Sequence, residues 1–322
     1  MFGDVVRSHR RLLGMSQEDL AERSGLSVRG IRDLETGRTG APRARTVRLL
    51  ADVFGLAGHE RDLFHLAAAP ATPAGGTRRP ADGRSPAQLP ADLAGFVGRE
   101  APLRRLDAVL AVRQGRPGAA VVVVSGGAGL GKSALAVHWA HRMRRRFPDG
   151  QLFAGLRGSE PGAAVAPSDA LRVFLSGLGV PPDRMPPDQA SQIALYRSLL
   201  AWRRVLAVLD DARDEEQVRP LLPSGSGCAA VVTSRRRLTG LVALENAEPL
   251  PLAPLDDREA RELLGRRLTR DRLAHDADGL AAVLRECAGH PLWLAVAAAR
   301  AAARPGVPLT TLASELRAST RA

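Results

Sequence analysis

The sequence predicts a multidomain chain: a small all-α bundle, then an α/β domain built on a parallel sheet, then a short all-α region. Three observations support this prediction. Apolar residues recur at helical spacing up to about residue 70, and residues 71–93 are rich in Pro and Gly. From Phe96, strand-like apolar runs alternate with helical segments until about Asp256. The 322 residues suffice for two or three domains.

The composition is that of a globular protein. Hydrophobic residues make up 45% and charged residues 25% of the chain, which excludes disorder throughout. No apolar run approaches the roughly 18 residues that cross a bilayer, and the first residues lack a basic-then-apolar signal. The two cysteines form no CxxC pair. We therefore expect a cytoplasmic protein without membrane contact.

Basic residues are in excess and give a formal net charge of +12. This charge suits a polyanionic partner, although a generally basic surface would give the same value. Aromatic residues are only 3% of the chain, too few for the stacking platforms of single-strand binders, so duplex DNA is the expected nucleic acid. All but one of the 46 basic residues are arginine. A position that keeps lysine in such a chain is expected to need a compact ammonium.

The N-terminal region, residues 1–70, predicts five short helices. Ser16 begins the second helix with a side-chain cap and acids in its first turn, and the helix ends near Gly25. Ser27 caps a third helix that runs to Glu35 and is followed by Gly37. Two short helices joined by a glycine turn within such a bundle are typical of helix-turn-helix architecture.

Residues 15–56 of this region resemble the XRE/Cro-type repressor family, in which the second helix of the motif lies in the DNA major groove. The resemblance implies phosphate contacts from Gln17 and Ser27, and base contacts from Val28, Arg29, Arg32 and Asp33. Two alternatives remain open. Asp33 can instead pair with Arg29 four residues earlier, and the module can serve protein contacts alone.

The lone lysine lies in the segment Gly126–Ser133, which fits the pattern GxxxxGK[ST] between a valine strand and a helix. Glycines let such a loop turn its backbone amides toward phosphate at a helix N-terminus. Lys132 would bridge the β- and γ-phosphates, and the Ser133 hydroxyl would bind Mg²⁺. The predicted phosphate-binding residues are Gly126, Gly129, Gly131, Lys132, Ser133 and Ala134.

A second apolar strand, Val205–Leu209, ends in two acids, Asp210 and Asp211. This places their carboxylates at the carboxyl edge of the sheet, beside the glycine-rich loop. We expect Asp210 to complete the Mg²⁺ site and Asp211 to orient or activate water. For Asp211, a solvated strand end is the alternative.

Four motifs occur in the order of the STAND nucleotide-switch ATPases, and residues 93–317 resemble the NB-ARC domain of bacterial regulators. The motifs are Phe96-Val97-Gly98-Arg99-Glu100, the loop above, Val231-Val232-Thr233-Ser234-Arg235 and Gly289-His290-Pro291-Leu292. The resemblance implies that Val97 and Arg99 line the adenine pocket, that Arg235 senses the γ-phosphate, and that Pro291 packs on adenine. Family members usually continue into a winged helix and sensor repeats, which this chain would need downstream or from another protein.

Together these patterns predict four regions: a helix-turn-helix domain (1–70), a flexible linker (71–93), a P-loop NTPase domain (94–252) and a helical subdomain that closes on the nucleotide (253–322). We expect a DNA-binding transcriptional regulator that uses ATP or ADP with Mg²⁺ and no other metal. It would form a homo-oligomer on activation and be at most a slow ATPase. Two alternatives are a signalling or defence NTPase whose N-terminal module binds protein, and a small-molecule kinase.

Overall fold

A computed structural model describes residues 2–36, 42, 44–56, 61, 64, 68, 85–113 and 117–321. The chain divides into two compact units, Met1–Arg78 and Arg79–Ala322. We call the first unit the head. No helix in the described part of the chain is long and apolar enough to span a membrane.

The head contains four described helices: α1 (Phe2–Leu12), α2 (Gln17–Ser24), α3 (Val28–Glu35) and α4 (Ala44–Val53). The predicted caps are present. The Ser16 hydroxyl accepts from the Asp19 amide in a capping box, and the Ser27 hydroxyl accepts from the Gly30 amide. Leu20, Ile31 and Leu50 are fully buried in a core of their own. The predicted fifth helix and Gly37 lie outside the described residues, apart from single helical positions.

The second unit is built on a five-stranded, all-parallel sheet in the order β2-β3-β4-β1-β5. Its strands are β1 (Ala120–Ser125), β2 (Gly150–Gly155), β3 (Val205–Ala212), β4 (Ala229–Ser234) and β5 (Glu248–Pro251). The sequence predicted the first four. It did not predict β5, because the two prolines of this segment disfavour a strand. The segment can form one because β5 lies at the edge of the sheet, where proline is tolerated on the unpaired side.

Helices cover both faces of the sheet, as the alternating pattern predicted. They are α5 (Glu100–Arg113), α6 (Lys132–Met143), α7 (Pro167–Gly177), α8 (Gln189–Leu200), α9 (Glu215–Val218) and α10 (Thr239–Leu244). Val121 and Val123 pack with α7 and α8, while Val122 and Val124 pack with α5 and α6. All six residues of β1 are therefore buried, which explains its continuous apolar run.

Five helices follow the sheet: α11 (Asp257–Gly265), α12 (Arg270–His275), α13 (Ala277–Cys287), α14 (Pro291–Ala303) and α15 (Leu309–Arg321). They form a third apolar cluster around Leu264, Leu294 and Leu312. The alanine- and leucine-rich stretch 277–303 predicts one long helix followed by a short tail. The structure breaks that helix at Ala288 and Gly289, both with positive φ, and adds α15. A Cβ on Gly289 would lie 2.2 Å from the Leu255 carbonyl oxygen, so the chain passes too close there for a side chain.

The predicted flexible linker is ordered at its C-terminal end. Gln151 donates its amide to the Pro86 carbonyl (2.7 Å) and accepts from the Gln88 amide (3.0 Å), so Ala87 pairs with the free edge of β2. The structure thus extends the α/β unit back to Ser85, because an edge strand offers unpaired backbone groups that a neighbouring extended segment can satisfy. Residues 71–84 lie outside the described residues.

Candidate functional sites

The glycine-rich loop connects β1 to α6 at the carboxyl edge of the sheet. Gly126, Gly129 and Gly131 have φ values of 151°, 69° and 82°, which side chains rarely adopt. The helix begins directly at Lys132, and no side chain caps its first amides. Its positive end therefore faces the loop with backbone donors available to an anion, which is the arrangement a phosphate needs.

Lys132 is buried, with 8% of its surface exposed, and its ammonium donates to the Gly127 carbonyl (2.7 Å). Burial and the charge of Arg235 lower the pKa of Lys132, and the charges of Asp211 and Asp210 partly offset them. The structure therefore brings all four predicted charged groups within electrostatic reach. Arg235 itself is exposed directly after β4, and no carboxylate in the described ranges lies within 4 Å of it.

Thr233, at the end of β4, connects the two predicted acids. Its hydroxyl donates to Asp210 Oδ1 (2.6 Å) and accepts from the backbone amide of Asp211 (2.9 Å). Asp211 has a φ of 55° and lies at an irregularity of β3, where the pairing with β4 shifts register between Leu209 and Ala212. Thr233 belongs to the motif that ends at Arg235, but the sequence indicates no role for it. Its position beside the loop depends on the β3–β4 pairing, which the sequence does not reveal.

The Asp211 carboxylate is already engaged. Its Oδ2 accepts from both the amide (3.0 Å) and the hydroxyl (2.7 Å) of Ser159, in the loop that follows β2. This arrangement differs from a solvated strand end, because the carboxylate fixes a neighbouring loop. One oxygen, Oδ1, remains for the predicted role in orienting water.

Arg99 joins three segments. It is 7% exposed and has a φ of 62°, and its guanidinium donates to the carbonyls of Leu130 (3.0 Å) in the loop and Ala253 (2.7 Å) after β5. Its amide donates to the Glu259 carboxylate in α11 (2.6 Å). Burial lowers the pKa of the Arg99 guanidinium, and Glu259 partly offsets this effect. Arg99 therefore lies beside the loop, with its side chain occupied by protein carbonyls, and Val97 is buried.

The start of α14 lies on the same loop. His290 donates from Nε2 to the Ala128 carbonyl (2.8 Å), and the Leu292 amide donates to the Gly129 carbonyl (3.3 Å). A Cβ added to Gly129 would lie 2.4 Å from His290 Cε1, whereas one on Gly131 would lie 4.0 Å from Pro291 Cγ. The family resemblance assigns a role to Pro291. It assigns none to the neighbouring His290 and Leu292, although both belong to the same motif.

The site fits a nucleoside triphosphate with Mg²⁺. The glycines leave room for phosphate, Lys132 supplies a cation, and the predicted Mg²⁺ ligands retain free oxygens. Ser133 is exposed at the first turn of α6, and Thr233 occupies only one oxygen of Asp210. Within the described ranges, no group of three or more His, Cys, Asp or Glu could hold another metal.

In the head, α3 presents the predicted base-contacting residues differently. Arg29 and Arg32 are exposed, with 92% of the Arg29 side chain accessible, whereas Val28 packs against the core. The Arg29 Nε lies 3.8 Å from Asp33 Oδ2, so the alternative pairing of these two residues is present. Arg29 and Arg32 are thus the residues of α3 most open to a partner.

Gln17 and Ser27 both have intramolecular partners. The Gln17 amide nitrogen donates to Glu35 Oε2 (2.8 Å), and Ser27 serves as the cap of α3. Glu35 is 4% exposed and receives a two-pronged contact from Arg10, through Nε to Oε1 (2.7 Å) and through a terminal nitrogen to Oε2 (3.1 Å). The sequence does not indicate this cluster of Arg10, Gln17 and Glu35. Arg10 and Glu35 are far apart in the chain, and each resembles a surface residue.

Comparisons with known proteins agree with this organisation. Residues 1–64 match the family model described as "Helix-turn-helix domain", so the predicted helix-turn-helix domain is confirmed. The chain is 39% identical over 291 residues to the regulatory protein AfsR of Streptomyces coelicolor, covering 85% of this chain and 28% of that protein. It is 42% identical over 231 residues to AfsR of Streptomyces griseus, covering 72% of this chain and 23% of that protein.

Among solved structures, a STAND protein with a tetratricopeptide repeat sensor from Pyrococcus horikoshii aligns with a TM-score of 0.44 and 21% identity, covering 65% of this chain and 30% of that one. With respect to the two AfsR proteins, the chain spans about a quarter of the length of the curated regulatory proteins that it matches.

Proposed function

We propose that this protein is a DNA-binding transcriptional regulator. It joins a helix-turn-helix domain to an α/β domain with a glycine-rich phosphate loop, and it is related to Streptomyces regulatory proteins. Its α/β domain binds ATP or ADP with Mg²⁺, and the bound nucleotide switches its self-assembly. Hydrolysis is slow and resets the switch. The observation that carries the proposal is the geometry at the loop, where Lys132 donates to the Gly127 carbonyl and Thr233 links Asp210 to Asp211.

Each group has a role that its surroundings support. The loop amides and Lys132 bind the β- and γ-phosphates, and the Ser133 hydroxyl with the free oxygen of Asp210 holds Mg²⁺. Held there, Mg²⁺ would supply positive charge to neutralise the phosphates. Asp211 orients water through its second oxygen, and the exposed Arg235 responds to the γ-phosphate.

Contacts at the loop support a route from nucleotide to conformation. His290 and Leu292 hold two loop carbonyls, and Arg99 holds a third while its amide binds α11. A change in the loop on nucleotide binding must therefore be accommodated by the helices that follow the sheet. For ATP to drive assembly, it must bind the assembling conformation more tightly than the other one.

The nucleotide proposal is tested at Lys132. We expect Lys132→Ala to abolish ATP and ADP binding in calorimetry. Lys132→Arg should be nearly as damaging, because a planar guanidinium does not replace a compact ammonium in a site this buried. Arg261→Ala, an exposed change on α11, is the matched control and should bind as the unaltered chain does. Undiminished binding by both Lys132 variants would contradict the proposal.

The DNA proposal is tested on α3. The double change Arg29→Ala with Arg32→Ala should remove the preference for a selected duplex and leave a weak, salt-dependent background. Selection from genomic fragments provides the duplex, and band shifts measure the preference. Failure to enrich any discrete site would instead favour a signalling NTPase whose head binds protein.

A further inference from the structure

An open cleft of about 660 Å³ lies at the edge of the sheet where the strands begin, opposite the edge that carries the phosphate loop. It lies between the end of α6 and the start of β2. Its lining includes Arg142, Arg144 and Arg145, and none of its lining residues is acidic. The cleft is therefore basic, and the nucleotide site does not use it.

Three consecutive arginines, Arg144–Arg146, form the short helical turn at one side of this cleft. All three are exposed, and none has a carboxylate within 4 Å in the part of the chain that the structure describes. Elsewhere on the unit, Arg157 pairs with Glu160 and Arg258 pairs with Glu100. The arginine run keeps its full charge toward solvent.

Arg204 extends the charge along the same edge. It is exposed at the start of β3, its amide donates to Asp149 Oδ2 (2.7 Å), and its carbonyl accepts from the Asp149 amide (3.2 Å). Asp149 follows Pro148, which lines the cleft. We call Arg144, Arg145, Arg146 and Arg204 the basic edge.

The chain from the head reaches the α/β unit at this cleft. Ser85, Pro86 and Ala87 line it, and the Ser85 hydroxyl donates to the Pro148 carbonyl (3.1 Å). The sixteen residues between Ala68 and Ser85 span at most about 60 Å when fully extended. A duplex bound by the head is thereby tethered to the second unit, at an effective concentration of roughly millimolar order.

We infer that the basic edge is a second contact site for the phosphate backbone of the duplex that the head binds. This inference rests on the proposed DNA-binding function. The forked guanidinium of arginine matches the geometry of phosphate oxygens, and each neutralised phosphate adds about 0.9 to the salt dependence of binding. The contact carries no sequence information, so it adds affinity equally for every duplex.

The experiment compares two triple variants of the full chain with the same loss of charge. One is Arg144→Gln, Arg145→Gln and Arg146→Gln. The control is Arg261→Gln, Arg267→Gln and Arg285→Gln, three exposed arginines in the helical region that follows the sheet. Fluorescence anisotropy measures the affinity for a selected duplex and for an unrelated duplex over a series of salt concentrations.

We expect the first triple to bind both duplexes about 10- to 100-fold more weakly at low salt, with the slope of log K against log salt reduced by about 2 to 3. The control should change the slope by less than about 0.5. Replacing the same three arginines by lysine should restore most of the slope, because the positive charge is kept.

Two failures are distinguishable. If the unaltered chain binds no duplex, both the proposed function and this inference are overturned. If it binds and the two glutamine triples behave alike, only the inference is overturned. In that case the arginines contribute only a favourable charge at the C-terminal end of α6.

Discussion

At the scale of single residues, Glu35 shows how a charge is kept inside the small head. Burial by itself raises the pKa of this carboxyl. Hydrogen bonds from Arg10 and Gln17 and the charges of Arg10 and Arg7 outweigh that effect, and the pKa of Glu35 lies below its usual value. The same contacts engage Gln17, which the family resemblance assigns to phosphate. Gln17 therefore supports the head from within, and only the second N–H of its amide nitrogen remains to donate to a phosphate oxygen.

We predict that Glu35→Gln destabilises the head by about 2 to 4 kcal/mol, because it leaves the largely buried guanidinium of Arg10 without a carboxylate partner. Asp33→Asn is the control. It removes a carboxylate that is 3.8 Å from an almost fully exposed Arg29, and it should cost less than about 1 kcal/mol. Hydrogen exchange of peptides from residues 2–56 measures both changes in the full chain. Equal protection in the two variants would contradict the prediction.

The pKa of Glu35 also fixes the direction of a pH effect. A carboxyl whose pKa is lowered by folding stabilises the protein above its unfolded pKa of about 4.3, and this contribution is lost as the pH falls through the folded value. The unaltered head should lose protection below about pH 4. The Glu35→Gln head should show a smaller loss over the same range.

At the scale of elements, the important contact joins the phosphate loop to α14. The loop must be free of side chains at Gly129, both for its φ of 69° and because His290 and Leu292 lie against it. Two hydrogen bonds to loop carbonyls complete the contact. The helices after the sheet are thus attached to the part of the α/β domain that is proposed to hold phosphate.

We predict that Gly129→Ala destabilises the second unit by more than about 3 kcal/mol, because the new Cβ meets His290 Cε1 at 2.4 Å in addition to the strain of a positive φ. Gly162→Ala is the matched control. Gly162 has a φ of 72° and no heavy atom within 4 Å of the added Cβ, so only the backbone strain of about 1 to 2 kcal/mol applies. Urea denaturation of the full chain measures both. Similar midpoints would show that the α14 contact yields without cost.

At the scale of the whole molecule, the two units have separate cores. The described apolar cluster of the head is drawn from residues 2–68, and the other three clusters begin at residue 89 or later. The head carries the proposed base contacts to DNA, and the second unit carries the proposed nucleotide contacts. A ligand of one unit should therefore change the stability of that unit first.

We predict two separate unfolding transitions in calorimetry of the full chain. ATP with Mg²⁺ at about 100 times its dissociation constant should stabilise the second unit by about 2.7 kcal/mol and raise its Tm by roughly 5 to 10 °C. The transition of the head should not move. Lys132→Ala should remove the shift. A single transition, or an unchanged Tm at saturating ATP and ADP, would contradict this description.

The sequence by itself determined the local features: the caps of α2 and α3, the buried strands, the glycine-rich loop and the two acids near the end of β3. Each depends on residues that are neighbours in the chain, through periodicity, turn geometry or capping. Only the tertiary structure decided the rest. It paired the segment around Ala87 with β2, added the proline-containing β5, and brought Thr233, Ser159 and His290 to the loop and the acids. It also paired Arg10 with Glu35 inside the head. These contacts join residues that are far apart in sequence, and their free energy comes from burial and hydrogen bonding that exist only when the strands and helices have assembled.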